Sequence, residues 1–238
     1  MGKVMIKTVL FDLDGTLLPM DQDTFTGAYF KELAKLMVPH GYDPDALVKG
    51  IWKGTGAMVK NDGTKTNEEA FWEVFCRIFG EEAKNDIEIF NSFYENEFNK
   101  AKDVCGYNEA SAEIVAALKD KGIDVVLASN PLFPMVAQKN RMRWAGLNID
   151  DFSYITSYEN SHYCKPSKEY YTEIAKLLKL NPEECLMVGN NATEDMVACE
   201  AGMNVFLLKD CLINDDNVDL TPFNQGGFPE LKALIETL

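Results

Sequence analysis

Val9-Leu10-Phe11-Asp12-Leu13-Asp14-Gly15-Thr16 is the stretch on which the fold turns. From Val4 to Phe11 the residues are apolar and β-branched, interrupted mainly by Lys7 and Thr8, and the chain then becomes polar within one step. Such a run predicts a buried strand that ends in a polar loop. Carboxylates at i and i+2 point the same way on a regular strand. At a strand end the chain is turning, and Asp12 and Asp14 can both reach one site. One can then hold a cation and act as nucleophile while the other works as acid and base. Gly15 relaxes the backbone just beyond them. The competing reading of these residues alone is a polar turn with Thr16 as a helix cap.

Downstream the pattern becomes helical. Phe25, Tyr29, Phe30, Leu33, Leu36 and Met37, then Leu47, Ile51 and Trp52, recur at the spacing of one helix face. Thr66-Asn67-Glu68-Glu69 is a helix-start signal that leads into Phe71, Trp72, Val74, Phe75 and Ile78, with Gly80 as the stop. Ile87 to Phe98 repeats the pattern. No strand is expected between about Asp21 and Lys102, so residues 19–104 are expected to form a helical insert, a cap domain. Trp52, Trp72, Phe71 and Phe75 are assigned to the core of that insert.

After Tyr107 helices and strands alternate. Ala110 to Lys121 is helical and Gly122 ends it; Ile123 to Ala128 is a strand entering Ser129-Asn130-Pro131. A helix over Pro134 to Trp144, a short strand Tyr154-Ile155-Thr156 and a helix over Ser167 to Leu178 follow. Next come a strand over Cys185 to Val188, the turn Gly189-Asn190-Asn191, a helix over Thr193 to Ala201 and a strand over Asn204 to Leu208. Asn214 to Asp219 is expected to be a surface loop and Pro229 to Leu238 a closing helix. The alternation predicts an α/β fold, a doubly wound parallel sheet covered on both faces. Residues 1–18 and 105–238 form this core.

Composition narrows the function class. The 238 residues include 38 acidic and 23 basic ones, a formal net charge of −15, which repels nucleic acid phosphates and anionic membranes. It also repels a phosphorylated small molecule, so a phosphate site must be a local pocket made by a cation, a Lys and backbone N–H groups. Six cysteines, at 76, 105, 164, 185, 199 and 211, form no C-x-x-C pair and fit a reduced, cytoplasmic setting. Met1 to Lys7 lacks the apolar core of a signal peptide, and no stretch approaches the roughly 18 apolar residues of a membrane span. His40 and His162 are too few and too far apart to suggest a histidine metal site. Cys164 beside Lys165 is expected to be a bystander.

Polar sites in open parallel sheets form beyond the carboxyl ends of the strands. Four strand ends here are polar: Asp12-Leu13-Asp14, Ser129-Asn130, Lys165-Pro166 and Asn190-Asn191 through Asp195. Lys165 can reach a phosphate or a carboxylate from its position; Ser129 and Asn130 offer a hydroxyl, an amide and backbone N–H groups to phosphate oxygens.

These four segments, in this order, resemble the haloacid dehalogenase superfamily of aspartyl-phosphate hydrolases, with a Rossmann-like core and a helical cap, over nearly the whole chain. Its first motif, Asp-x-Asp-Gly-Thr, is matched in full by Asp12 to Thr16, its second by Ser129, and its third by Lys165 in Lys-Pro-Ser. The resemblance implies a phosphatase acting on a small phosphorylated metabolite. Asp12 would attack phosphorus, Asp14 would serve as acid and then base, and Ser129 and Lys165 would hold phosphate oxygens. Mg²⁺ would be bound by Asp12, the Asp14 carbonyl and a fourth-motif residue. That motif departs from the usual Gly-Asp: Asn190 stands where Asp is expected, and Asp195 keeps the later acid. Asn190 or Asp195 is left to close the metal shell, with Glu194 as a further candidate. Dehalogenating members work without Mg²⁺ and lack an acid at the position of Asp14, which favours phosphate chemistry. A sugar phosphomutase of the same family and a non-catalytic binding descendant are the alternatives.

Overall fold

A sheet of six strands, all of them parallel, carries the site. The computed structural model describes residues 5–238, so the expected start of the first strand at Val4, and the reading of residues 1–4 as lacking a leader, lie outside the described residues. The strands are β1 (Thr8–Phe11), β2 (Asp124–Leu127), β3 (Tyr154–Ile155), β4 (Cys185–Gly189), β5 (Asn204–Leu208) and β6 (Asn224–Gly226), in the order β3-β2-β1-β4-β5-β6. β1 therefore lies between β2 and β4, and connections leave it toward opposite sides of the sheet. This is the topological switch point at which α/β sheets form their sites.

The helices are α1 (Gln22–Met37), α2 (Pro44–Val59), α3 (Asn67–Phe79), α4 (Ile87–Glu95), α5 (Glu109–Asp120), α6 (Met135–Trp144), α7 (Lys168–Leu178) and α8 (Phe228–Glu236). Side chains alternate across β1. Val9 and Phe11 join an apolar cluster with Ile114 and Leu118 of α5 and Leu231 of α8. Leu10 joins another with Tyr170, Tyr171 and Ile174 of α7. All four residues of β1 are buried, as a strand covered on both faces requires.

Residues 22–104 are helical, with 3₁₀ turns between α1 and α2, before α4 and after it, and no strand among them. The backbone enters this stretch at Pro19 and leaves it at Gly106, where the Gly106 N–H donates to the Pro19 carbonyl at 2.7 Å. The apolar core is not divided there. Phe25, Tyr29 and Phe98 belong to the same cluster as Val9 and Phe11 of the sheet.

Three local expectations are corrected. Trp52 is 54% exposed, with its ring 5.6 Å from that of Phe30, whereas Phe71, Trp72 and Phe75 are buried as expected. The helix expected over Thr193 to Ala201 exists only as a 3₁₀ segment, Met196–Ala201, because Asn191 and Asp195 turn the preceding backbone. β6 was not anticipated: Asn-Gln-Gly carries no strand signal, and its edge pairing with β5 supplies the hydrogen bonds. Among the described residues no helix is long and apolar enough to cross a membrane, and all six cysteines are free.

Candidate active site

Asp12 follows β1, and its N–H still donates to Val188 of β4 at 2.9 Å. Ladder bonding thus fixes the backbone one residue past the strand, and the carboxylate is delivered into the switch point only 7% exposed. Lys165 Nζ donates to Asp12 Oδ1 at 2.8 Å and to Asp195 Oδ1 at 2.6 Å. Lys165 is 1% exposed. Burial would push the ammonium toward neutrality, but Asp12 and Asp195 together hold its pKa well above the usual lysine value. The result is a buried chain, Asp12–Lys165–Asp195, in which each charge has a partner.

Glycine makes the approach of these groups possible. A Cβ at Gly189 would lie 2.1 Å from Asp195 Oδ2, and a Cβ at Gly15 would lie 2.3 Å from Asn190 Nδ2. Gly15 also has φ +84°, a left-handed conformation that costs other residues roughly 1–2 kcal/mol.

Asp195 is fully engaged, since its Oδ2 accepts from the Asn191 N–H at 2.9 Å. Burial, opposed by Lys165, raises its pKa to about 6. Asn190 is differently placed. Its Nδ2 donates to the Cys211 carbonyl at 2.6 Å, which turns its Oδ1 toward the Thr16 hydroxyl at 2.9 Å. That hydroxyl also lies 3.1 Å from Asp12 Oδ2. One proton therefore serves two oxygen acceptors, which brings Asn190 Oδ1 and Asp12 Oδ2 to a common neighbour.

Asp14 faces the other way. Its Oδ2 accepts from Arg141 Nη1, while Oδ1 is buried without a partner. Arg141 is completely buried, lies 4.4 Å over the Phe133 ring, and donates from Nη2 to Gln138. Burial raises the Asp14 pKa and Arg141 opposes the rise. Arg141 was not among the expected site residues. It lies 127 positions from Asp14, on a helix whose polar and apolar residues are not segregated by face, and nothing local distinguishes it from Arg143.

Ser129 follows β2 and is 2% exposed; its carbonyl accepts from Thr156 Oγ1 and from the Tyr170 hydroxyl, both at 2.8 Å. Asn130 links two strand ends: its Oδ1 accepts from the Lys165 N–H at 3.2 Å, and its Nδ2 donates to Glu194 Oε2 at 3.2 Å. Burial pushes the Glu194 carboxyl up to about 7, against the pull of Lys165. The expected residues thus come to one end of the sheet, with Asp12, Lys165, Asp195, Asn130 and Glu194 in direct contact and Asn190 joined through Thr16.

The donor set fits a hard divalent cation. Asp12 Oδ2, Asn190 Oδ1 and the Asp14 main-chain carbonyl, which accepts no hydrogen bond among the described residues, are all oxygen ligands. Four carboxyl groups, Asp12, Asp14, Glu194 and Asp195, and two cationic side chains, Lys165 and Arg141, meet at the site. Asp195 Oδ1 accepts from Lys165 and its Oδ2 from the Asn191 N–H.

Comparison with known proteins identifies the family. The chain is 27% identical over 205 residues to the bifunctional riboflavin kinase/FMN phosphatase of Arabidopsis thaliana, covering 85% of this chain and 48% of that one. The chain thus spans about half the length of that relative. It is 24% identical over 206 residues to enolase-phosphatase E1 of Aquifex aeolicus, covering 84% of this chain and 89% of the other. The HAD-hydrolase YfnB of Bacillus subtilis, solved bound to magnesium, shares the fold with a TM-score of 0.57 and 21% identity, over 97% of this chain and 99% of that one. The profile of the haloacid dehalogenase-like hydrolases matches residues 6–202, from the start of β1 through the turn that carries Asn190 and Asp195, and the chain belongs to that family.

Proposed function

We propose that this protein is a Mg²⁺-dependent phosphohydrolase that cleaves a small phosphate monoester through a phosphorylated Asp12, with residues 19–104 serving as a cap over the site. The observation that carries this reading is the buried Asp12, held at the switch point by Lys165, with a second carboxylate, Asp14, two residues on. Phosphoryl transfer is governed by positioning and charge neutralisation. Asp12 attacks phosphorus, forming a P–O bond as the ester P–O bond breaks. Asp14 gives a proton to the departing alcohol oxygen and, as a carboxylate, takes one from the water that then hydrolyses the aspartyl-phosphate. Burial favours the protonated form needed first, and Arg141 favours the anionic form needed second. Lys165 and the Ser129 hydroxyl hold the phosphoryl oxygens, and Asn130 fixes the Lys165 backbone.

Mg²⁺ held by Asp12, the Asp14 carbonyl and Asn190 would supply the charge that offsets the phosphate dianion beside several carboxylates. Asn190 is the preferred closing ligand, because its oxygen already faces the Asp12 side of Thr16. Phosphatase activity is in keeping with the names of the curated relatives, and the acid at position 14 favours phosphate over haloacid chemistry.

The test is release of inorganic phosphate from p-nitrophenyl phosphate with and without Mg²⁺. Asp12→Asn is expected to lower kcat by at least about 10³-fold, as loss of a nucleophile does. Retained activity would remove Asp12 from its role. Conversion of a sugar 1-phosphate to its isomer without free phosphate would replace hydrolysis by the phosphomutase reading.

A further inference from the structure

Above the site lies a cavity of about 210 Å³ whose floor includes Asp14, Asn130 and Glu194 and whose far wall is Trp52 and Thr55 of α2. α1, α3 and α4 close its sides. Ten of its nineteen lining residues are aromatic, among them Tyr29, Trp72, Phe90 and Tyr158. All four are under 8% exposed, so the rings belong to walls built by the fold and not to a mobile surface. They are also fixed against one another. Phe71 and Trp72 meet at 88°, Trp72 and Phe90 at 84°, and Tyr29 and Phe133 at 78°, geometries that lock edge against face.

Among the described residues the charges on this surface are only Asp14 and Glu194, and no Lys or Arg lines it. Arg141 sits behind Phe133 and is engaged by Asp14 and Gln138, and the Lys165 ammonium is held by Asp12 and Asp195. A substrate carrying a carboxylate or second phosphate on its alcohol side would bury that anion among rings and carboxylates with nothing to pair it. A flat uncharged ring instead meets matching surface, and aromatic contacts add binding beyond simple area burial.

We propose, building on the phosphatase reading above, that the ester taken by this site carries a flat, uncharged aromatic group on its alcohol side and no second anionic group. The phosphate end then lies at Asp12 and Lys165 and the ring between Phe133 and Trp72. Residues of the helical stretch thereby choose the alcohol, while the sheet ends handle the phosphate.

The experiment compares kcat/KM for 1-naphthyl phosphate and FMN with that for 2-phosphoglycolate, phosphocholine and acetyl phosphate at fixed Mg²⁺. The ring-bearing esters are expected to exceed 2-phosphoglycolate by about 100-fold, the size of discrimination an unpaired buried group produces. Trp72→Ala should lower kcat/KM for 1-naphthyl phosphate about tenfold more than for acetyl phosphate, with the difference in KM. Thr26→Lys, which places a cation in the same wall, should shift the 2-phosphoglycolate to 1-naphthyl phosphate ratio about tenfold toward the anionic ester; it decides the matter if Trp72→Ala does not fold. Binding is read separately in Asp12→Asn, where 1-naphthyl phosphate should quench the fluorescence of Trp52 and Trp72 at concentrations at which 2-phosphoglycolate does not. Equal rates across the panel, or preference for 2-phosphoglycolate or phosphocholine, overturn the aromatic assignment while leaving a phosphatase. Failure to hydrolyse any of the esters or the acyl phosphate overturns the phosphatase reading and this one with it.

Discussion

At the scale of single residues, Asn190 is built into its position by both ends of its amide. Nδ2 bonds the Cys211 carbonyl at 2.6 Å and Oδ1 lies 2.9 Å from Thr16 Oγ1. Asn190→Asp would set an oxygen against that carbonyl while adding a charge to the proposed metal shell. Without metal the variant should lose on the order of 1–3 kcal/mol, the usual result of breaking a buried hydrogen bond. With Mg²⁺ it should bind the ion about tenfold more tightly. Calorimetric titration and melting with and without Mg²⁺ read both effects, and an unchanged Mg²⁺ affinity would take Asn190 out of the shell. Glu194 makes a different prediction. Its carboxyl titrates near 7 in the fold against an ordinary 4.5, so the folded chain keeps a proton that the unfolded chain has lost. Its contribution to stability is intact below about pH 4.5, declines as pH rises to about 7, and is flat above that. Glu194→Gln, which still offers an oxygen to Asn130, should therefore gain on the order of 3 kcal/mol at pH 8 and almost nothing at pH 4. Parallel stability curves for parent and variant between those values would show that the carboxyl carries no such penalty.

At the scale of elements, α3 shows how far local rules reach. Thr66 Oγ1 accepts from the Glu69 N–H at 3.2 Å and Glu69 Oε2 accepts from the Thr66 N–H at 2.8 Å, the capping box that the four-residue signal announces. The next residue, Asn67, is fully buried and does something no local rule describes. Its Nδ2 reaches the carbonyls of Pro131 and Tyr163 at 3.4 and 3.3 Å, and its N–H donates to the Ser161 carbonyl at 2.9 Å. The helix start is thus tied to the loops after β2 and β3. Thr66→Ala should cost about 1 kcal/mol in urea unfolding. Asn67→Ala should cost more, on the order of 2–3 kcal/mol, because it strands buried carbonyls; equal costs would show that the tether bears no load. The same division explains what could be read beforehand. Strands, most helix ends and the four polar strand ends follow from short-range periodicity and caps. Arg141, β6 and the exposure of Trp52 depend on partners brought from distant parts of the chain, and neither a buried ion pair 127 residues long nor an edge pairing of Asn-Gln-Gly leaves a local pattern.

At the scale of the whole molecule, a net charge of −15 surrounds a site that must receive an anion. The two scales oppose each other. On the proposed reading, Lys165, the Ser129 hydroxyl and a bound cation would attract phosphate over a few ångströms, whereas the surface field repels it over the Debye length, roughly 30 Å at 0.01 M salt and 8 Å at 0.15 M. Groups buried with their partners are screened little, and the long-range repulsion is screened strongly. Raising KCl from about 0.01 to 0.15 M at constant Mg²⁺ should therefore raise kcat/KM for a phosphate ester by about two- to threefold, chiefly through KM, with kcat nearly constant. A favourably steered enzyme shows the opposite slope. If kcat/KM instead falls with salt, the surface around the cavity mouth must present a positive field despite the overall charge. A fall confined to kcat would mean that salt reaches the Asp12–Lys165–Asp195 chain itself, which its burial forbids.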